Sequence, residues 1–293
     1  MVRREKSVLI TGAGGFIGSH LRHRFAEAGW RVFAQVRRPP AGGVADTTTT
    51  FLPGDLATTA LPLPKDLDCI VHAAARSPHP GATLEDFFQN NILATRRLIH
   101  QARPLGGVPI LYLSSLSLYG EITEAVVNEQ TPRTNPTPYG ISKYWGECLL
   151  REEAKNLPAI ALRLPGVLGV GAQTPWLAQV ADKLKRDAPI TLFNPESPFN
   201  NAVHVTDLAD FILLLASGER HGFDAVTLAS SGEISIRQAV ALLKSEIGSY
   251  SAIEVVPNRQ QSFTVSSERA RRIYGYAPHA IETVLHRFAQ ELT

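Results

Sequence analysis

The stretch Val8–Gly18, "VLITGAGGFIG", decides the fold. A short apolar run of strand character ends at Thr11, a glycine-rich turn follows, and "FIGSHLRHRFAEAG" then carries helical periodicity to Gly29. Gly12, Gly15 and Gly18 are spaced GxxGxxG across that turn. The first such glycine permits a tight turn, the second lets backbone approach a pyrophosphate, and the third lets the helix pack close to the strand. A helix N-terminus presents free N–H groups and a positive dipole end to phosphate. The stretch therefore reads as the phosphate loop of a dinucleotide cofactor, with Gly12, Gly15, Phe16, Ile17 and Gly18 around it.

Working outward, "WRVFAQV", "TTTTFLPGDL", "LDCIVHAAA", "PILYLSS" and "AIALRLP" are further short strand-like runs. "LEDFFQNNILATRRLIHQAR" and "PYGISKYWGECLLREEAKN" read as helices between them. Such alternation predicts an α/β fold, a Rossmann-type doubly wound parallel sheet with helices on both faces. The expected dinucleotide-binding domain covers residues 1–165, with 200–225 returning to it. Beyond Pro165 the rhythm breaks at "GVLGVGAQTP" and "NPESPFNN". Residues 166–199 and 226–293 are expected to form a smaller C-terminal α/β lobe that binds substrate.

Composition narrows the function classes. The 293 residues are 44% hydrophobic and 19% charged, with a formal net charge of +2. That balance argues against nucleic acid or an anionic membrane as partner, and the apolar runs are too short to span a bilayer. "MVRREKSVLITG" reads as a basic leader into the first strand rather than a signal peptide. Cys69 and Cys148, with no CxxC, read as buried thiols in a reducing, cytoplasmic compartment, and no metal site is expected.

Tyr139 and Lys143 lie four residues apart on an expected helix, hence on one face. Thr137 is placed to cap that helix and Pro138 suits its first position. Ser115 ends the fifth strand, where residues of open α/β sheets face the ligand. A tyrosine hydroxyl, with a pKa of about 10, is a poor base at neutral pH. Lowering it toward 7 takes about 4 kcal/mol of differential stabilisation, which a nearby ammonium and a cationic nicotinamide both favour. Tyr139 would then exchange a proton with a carbonyl oxygen that Ser115 hydrogen-bonds, while hydride moves at the carbon.

Other stretches fall in a familiar order: Asp55-Leu56, His72-Ala73-Ala74-Ala75, Asn91 in "QNNILAT", "YLSSLSLYG", "YGISK", "ALRLPGVLG", "NAVHVTDLAD" and "SSERARRIYGYAP". Together with the glycine spacing they resemble the extended short-chain dehydrogenase/reductases, the epimerase/dehydratase branch, over essentially the whole chain. The resemblance implies that Asp55 and Leu56 meet the adenine and that Ala73, Ala74 and Ala75 pass beneath the cofactor. It implies further that Lys143 binds the nicotinamide ribose, Pro165 lines the nicotinamide face and Asn91 orders a proton-relay water. It also implies a homodimer built on the two helices that carry Asn91 and Tyr139, where Ile141, Trp145 and Leu149 add apolar surface.

Departures from the family pattern bear on substrate. Sugar-nucleotide 4,6-dehydratases carry Thr-Asp-Glu where this chain has Ser115-Leu116-Ser117, so water elimination is not expected. The usual diphosphate-gripping Arg-Asp is replaced by Asn200-Asn201, and a usual asparagine by Gly166. Arg76 and His79 are candidate replacement contacts, with Ser115, Ser117, Gly166 and Asn200 also facing substrate. His204 reads as a core residue. At the end of the second strand, where NAD enzymes place an acid for the ribose 2′-OH, stand Val36, Arg37 and Arg38. A neutral valine and two guanidinium groups suit a 2′-phosphate, so NADP is expected, with NAD the alternative. The leading reading is an NADP-dependent reductase of a carbonyl, the 4-keto group of a nucleotide-activated sugar. A sugar-nucleotide epimerase is the alternative, and a dinucleotide-sensing regulator comes third.

Overall fold

The computed structural model describes residues 4–39, 48–257 and 261–292, so Met1–Arg3 of the basic leader lie outside the described residues. In chain order the first elements are β1 (Ser7–Thr11), α1 (Phe16–Glu27), β2 (Arg31–Val36), β3 (Thr49–Pro53) and β4 (Cys69–His72). Then come α2 (Leu84–Phe87), α3 (Ala94–Ala102), β5 (Ile110–Ser115), β6 (Val126–Val127), α4 (Pro138–Glu152) and β7 (Ala159–Leu164). The chain continues through β8 (Gly166–Leu168), α5 (Trp176–Leu184), β9 (Ile190–Leu192), β10 (Pro198–Phe199), β11 (Ala202–His204) and α6 (Val205–Ala216). It ends with β12 (Phe223–Thr227), β13 (Ile234–Ser235), α7 (Ile236–Ile247), β14 (Ile253–Val255), β15 (Thr264–Val265), α8 (Glu268–Tyr274) and α9 (Ile281–Gln290).

A seven-stranded sheet runs in the order β12-β7-β5-β4-β1-β2-β3. Its pairs β5–β4, β4–β1, β1–β2 and β2–β3 are parallel. Burial on both faces explains why β1 and β4 are unbroken apolar runs rather than alternating ones. The order reverses between β1 and β4, which is the switch point where ligands bind in sheets of this kind. Gly12, Ala73 and Ser115 all follow or end strands on that carboxyl side. The expected α/β, Rossmann-type fold is present.

The chain divides into two compact units. The first holds residues 1–120, 135–163 and 209–225, with a core that includes Leu9, Ile70, Leu98, Ile110, Tyr112 and Leu150. The second holds 121–134, 164–208 and 226–293, cored by Leu177, Leu184, Leu192, Leu243, Leu285 and Phe288 among others. The return to the first unit thus begins at Ala209, not at residue 200, and 121–134 joins the second unit. The reason for the latter is local: β6 pairs with β15, and Glu129 Oε1 accepts from Thr227 N at 2.8 Å.

Two further expectations change. The long helix over 84–103 is interrupted by a π-helical turn, Phe88–Leu93, where the Thr95 hydroxyl bonds the Asn91 carbonyl at 2.6 Å and Asn90 Nδ2 bonds the Asp86 carbonyl at 2.8 Å. Cys69 is buried, which pushes its thiol up to about 12, but Cys148 is only half-buried. Among the described residues no helix is long and apolar enough to cross a membrane.

Candidate active site

The phosphate loop is shaped by two close approaches. Gly12 has φ +65°, and a Cβ there would stand 2.7 Å from Ala74 Cα. A Cβ at Gly18 would stand 2.1 Å from the Gly12 carbonyl oxygen, so only glycine lets α1 begin against the turn. Gly15 caps α1 without a side-chain hydrogen bond, and the first turn of α1 contains no acid. Its first-turn N–H groups are therefore left to an anion, with no carboxylate to repel it. Phe16 and Ile17 open the helix, partly exposed. A pyrophosphate fits this arrangement.

Gln35 was not singled out by the sequence, yet it holds the loop from below. Its Oε1 accepts from Gly12 N at 2.9 Å and its Nε2 donates to Gly54 O at 2.6 Å. A buried amide in an apolar strand was the available signal. Val36, next on β2, is buried, and a Cβ on Gly14 would lie 3.6 Å from its Cγ1. Arg37 donates to Asn90 Oδ1 at 2.9 Å and stands 3.7 Å from the Asp55 carboxylate; Arg38 is exposed. Asp55 Oδ1 accepts from Ala57 N at 2.8 Å. Leu56 is 4% exposed and packs with Ala57, Leu61 and Ala94. Ala73, Ala74 and Ala75 follow β4, partly exposed, with Ala74 N donating to Thr11 Oγ1 at 3.1 Å.

Ser115, Tyr139 and Lys143 come together in the first unit. Thr137 Oγ1 accepts from Gly140 N at 3.2 Å and caps α4, whose first residue is Pro138. The Ser115 hydroxyl hydrogen-bonds the Tyr139 phenol and also Ser117 Oγ, the latter at 3.1 Å. Burial pushes the phenol up to about 12, against the lowering effect of Ser115. Burial also pushes the Lys143 ammonium down to about 7, while Glu147 opposes that fall. Burial by the protein alone thus favours the protonated phenol, whereas the sequence expectation includes the charge of a bound nicotinamide. Desolvation outweighs the Ser115 hydrogen bond, and a positive ring beside the phenol would favour its anion.

Asn91 is 1% exposed, and its side chain is tied to protein. Its Oδ1 accepts from Arg76 N at 2.7 Å, and its Nδ2 donates to Ser142 Oγ at 2.8 Å and Arg76 O at 3.2 Å. Ser142 Oγ in turn donates to the Tyr139 carbonyl at 2.7 Å. Asn91 therefore fastens the loop after β4 to the first turn of α4. The Arg76 Nε is buried without a hydrogen-bond partner. His79 is exposed, with Nδ1 2.7 Å from the Pro80 carbonyl.

Beneath the trio lies an ion pair that the sequence reading passed over. Glu147 and Arg163 are 0% and 2% exposed and meet through two bonds, Nε–Oε1 at 3.0 Å and Nη2–Oε2 at 2.8 Å. Ser114 Oγ donates to Glu147 Oε1 at 2.7 Å, and Arg163 Nη1 donates to Tyr119 Oη at 2.8 Å. The signals were present: Glu147 continues the four-residue spacing of Tyr139 and Lys143, and Arg163 is a lone charge in "AIALRLP".

Pro165, Gly166 and Asn200 belong to the second unit. Gly166 pairs with Ala202, and a Cβ there would meet Pro175 Cβ at 3.2 Å. Asn200 is not available to a substrate as expected. It is 6% exposed, with Oδ1 accepting from Val265 N at 2.8 Å and Nδ2 donating to Val265 O at 2.9 Å. His204 is buried and lies 3.2 Å from Glu291 Oε2.

Residues 8–226 match the model of the NAD dependent epimerase/dehydratase family. The chain belongs to that family. It is an NAD-dependent enzyme of the short-chain dehydrogenase/reductase type, as the resemblance implied. Among the family's members, the UDP-glucose 4-epimerase of Halalkalibacterium halodurans is 24% identical, covering 95% of this chain and 93% of its own length. The UDP-glucose 4-epimerase of Azospirillum brasilense is 26% identical, over 92% of this chain and 87% of its own. MoeE5, solved in complex with UDP-glucuronic acid and NAD, is 25% identical with a TM-score of 0.81, covering 98% of both chains.

Proposed function

We propose that this enzyme is a sugar-nucleotide epimerase acting at C4 of a UDP-hexose, rather than the carbonyl reductase that the sequence favoured. The observation that carries the reading is the Ser115–Tyr139–Lys143 trio behind a glycine loop, in a chain whose relatives over nearly full length include UDP-glucose 4-epimerases. The leucine at 116 supports it by leaving no acid for water elimination. Gly12, Gly15, Phe16, Ile17 and Gly18 hold the dinucleotide's pyrophosphate, Ala73, Ala74 and Ala75 border it, and Lys143 anchors its nicotinamide ribose. The dinucleotide supplies a hydride acceptor that can return what it takes. Tyr139 removes the proton from the sugar hydroxyl and later restores it, Ser115 hydrogen-bonds the same oxygen, and the Lys143 cation favours the phenolate. Incubation with UDP-glucose or UDP-galactose should yield the C4 epimer with no net change in nicotinamide absorbance. Stoichiometric consumption of NADPH with a keto-sugar would restore the reductase reading.

NAD is the cofactor that suits an epimerase whose solved neighbour carries it, and Arg37 is already engaged by Asn90 and Asp55. Val36 nevertheless leaves no carboxylate to repel a 2′-phosphate. Neutralising Arg37 and Arg38 together should weaken NADP+ binding by roughly tenfold or more and leave NAD+ binding unchanged, as read by calorimetry.

The homodimer is proposed on the exposed apolar side chains of two neighbouring segments: Leu84 and Phe88 on one, Ile141 and Trp145 on α4. Sedimentation should show a dimer, and Trp145→Glu should shift it to monomer.

A further inference from the structure

Lys143 is 3% exposed, so its ammonium is largely withdrawn from water. An ammonium buried in that way is costly unless something nearby favours its charge. The group that meets it is Tyr112 of β5, whose ring centroid lies 4.7 Å from Nζ and which is itself 1% exposed. The fit between helix and ring depends on Gly146, because a Cβ there would stand 2.3 Å from Tyr112 Oη.

The ring is braced in turn. The His72 ring lies 5.5 Å from it, centroid to centroid. His72 Nε2 is 2.8 Å from Thr95 Oγ1, and Nδ1 is 2.7 Å from Thr11 Oγ1. The Thr95 hydroxyl gives its proton to the Asn91 carbonyl, so it accepts from His72 Nε2–H. Nδ1 then accepts from the Thr11 hydroxyl, which fixes one neutral tautomer. Burial and the Lys143 charge push His72 down to about 3, so no second cation opposes the ammonium. Among the described residues, Glu147 on its own helix is the charge that acts on Lys143, and Tyr112 on β5, which also feels Tyr139 and Glu147, is the titratable ring beside it.

We propose that Tyr112 is a positioning residue, whose aromatic face holds the Lys143 ammonium by cation–π attraction at the place from which it serves Tyr139. The contribution to turnover rests on the epimerase reading; the hold on the ammonium does not. A column of Thr11, His72, Tyr112 and Lys143 then runs from the strand that carries the phosphate loop to the catalytic helix. The hydroxyl of Tyr112 is not what the ammonium uses, so a phenylalanine should replace it.

The test keeps shape constant while removing the negative ring face. The full chain is prepared with Tyr112→Phe and with a trifluorinated phenylalanine at the same position. Lys143 is followed by carbon NMR of its labelled ε-methylene, assigned by loss of the signal in Lys143→Arg. Tyr112→Phe should titrate with the unsubstituted chain. The fluorinated ring should lower the midpoint by about one pH unit, a tenfold change in the protonation constant. Coincident titrations of the two rings would overturn the proposal. In turnover, the alkaline limb of the pH profile should move by the same amount in the fluorinated protein only. An inactive wild-type chain with the NMR shift intact would overturn the epimerase reading and leave Tyr112 holding Lys143.

Discussion

Tyr139→Phe should lower turnover of a UDP-hexose by about 10³-fold while dinucleotide binding stays within about twofold of the unsubstituted protein. The substitution removes only the hydroxyl. The ring remains to pack on Phe87, 5.8 Å away between centroids, and Thr137 still caps the helix. What is lost is the one group that Ser115 aligns and that can carry the substrate's proton. Rate assays beside calorimetric titration of NAD+ separate the two quantities. Retained turnover would remove Tyr139 from the chemistry, and with it both enzyme readings.

Glu147→Gln should have the largest effect on stability. Arg163 is 2% exposed and held in a two-bond pair, and the carboxylate also accepts from Ser114. Removing one charge of a buried pair leaves the other unpaired in a poor solvent for it, at a cost of about 3–5 kcal/mol. For a chain of this size that corresponds to a fall in melting temperature on the order of 10 °C. A second consequence separates this role from a merely structural one. Glu147 opposes the fall of the Lys143 pKa, so its loss should carry that value below about 7. The cationic form then needs a lower pH, and residual turnover at neutral pH should recover on acidification. A melting temperature and pH profile like those of the unsubstituted chain would contradict both statements.

Much of this was legible in the residues because backbone geometry and chemistry there demand particular side chains. Gly12 and Gly18 could be placed because no other residue fits beside Ala74 or the Gly12 carbonyl. Tyr139 and Lys143 could be placed because helical spacing puts them on one face. The partners of Asn91 and Asn200 were not legible for a common reason. An asparagine has both donors and an acceptor, and its sequence position does not reveal that backbone of Arg76 or Val265 will use them. The π-turn at 88–93 escaped because no glycine or proline marks it in the sequence. The upward push of burial on the Tyr139 phenol was not legible because charge is visible in a sequence and desolvation is not. The preference for NADP over NAD rested on Arg37 and Arg38 as free cations, whereas Arg37 already has Asn90 and Asp55 as neighbours.

The central claim is that C4 of the sugar would give its hydride to the dinucleotide while Tyr139 takes the hydroxyl proton, and that the hydride would then return to the opposite face of the same carbon as the proton is restored. The direct measurement uses a UDP-hexose carrying deuterium at C4, with the isotope followed by NMR through interconversion. The account predicts the C4 epimer with deuterium retained at C4 and none appearing in added, exchangeable NAD(H) or NADP(H). Deuterium delivered to the added cofactor, with a ketone left behind, would contradict it.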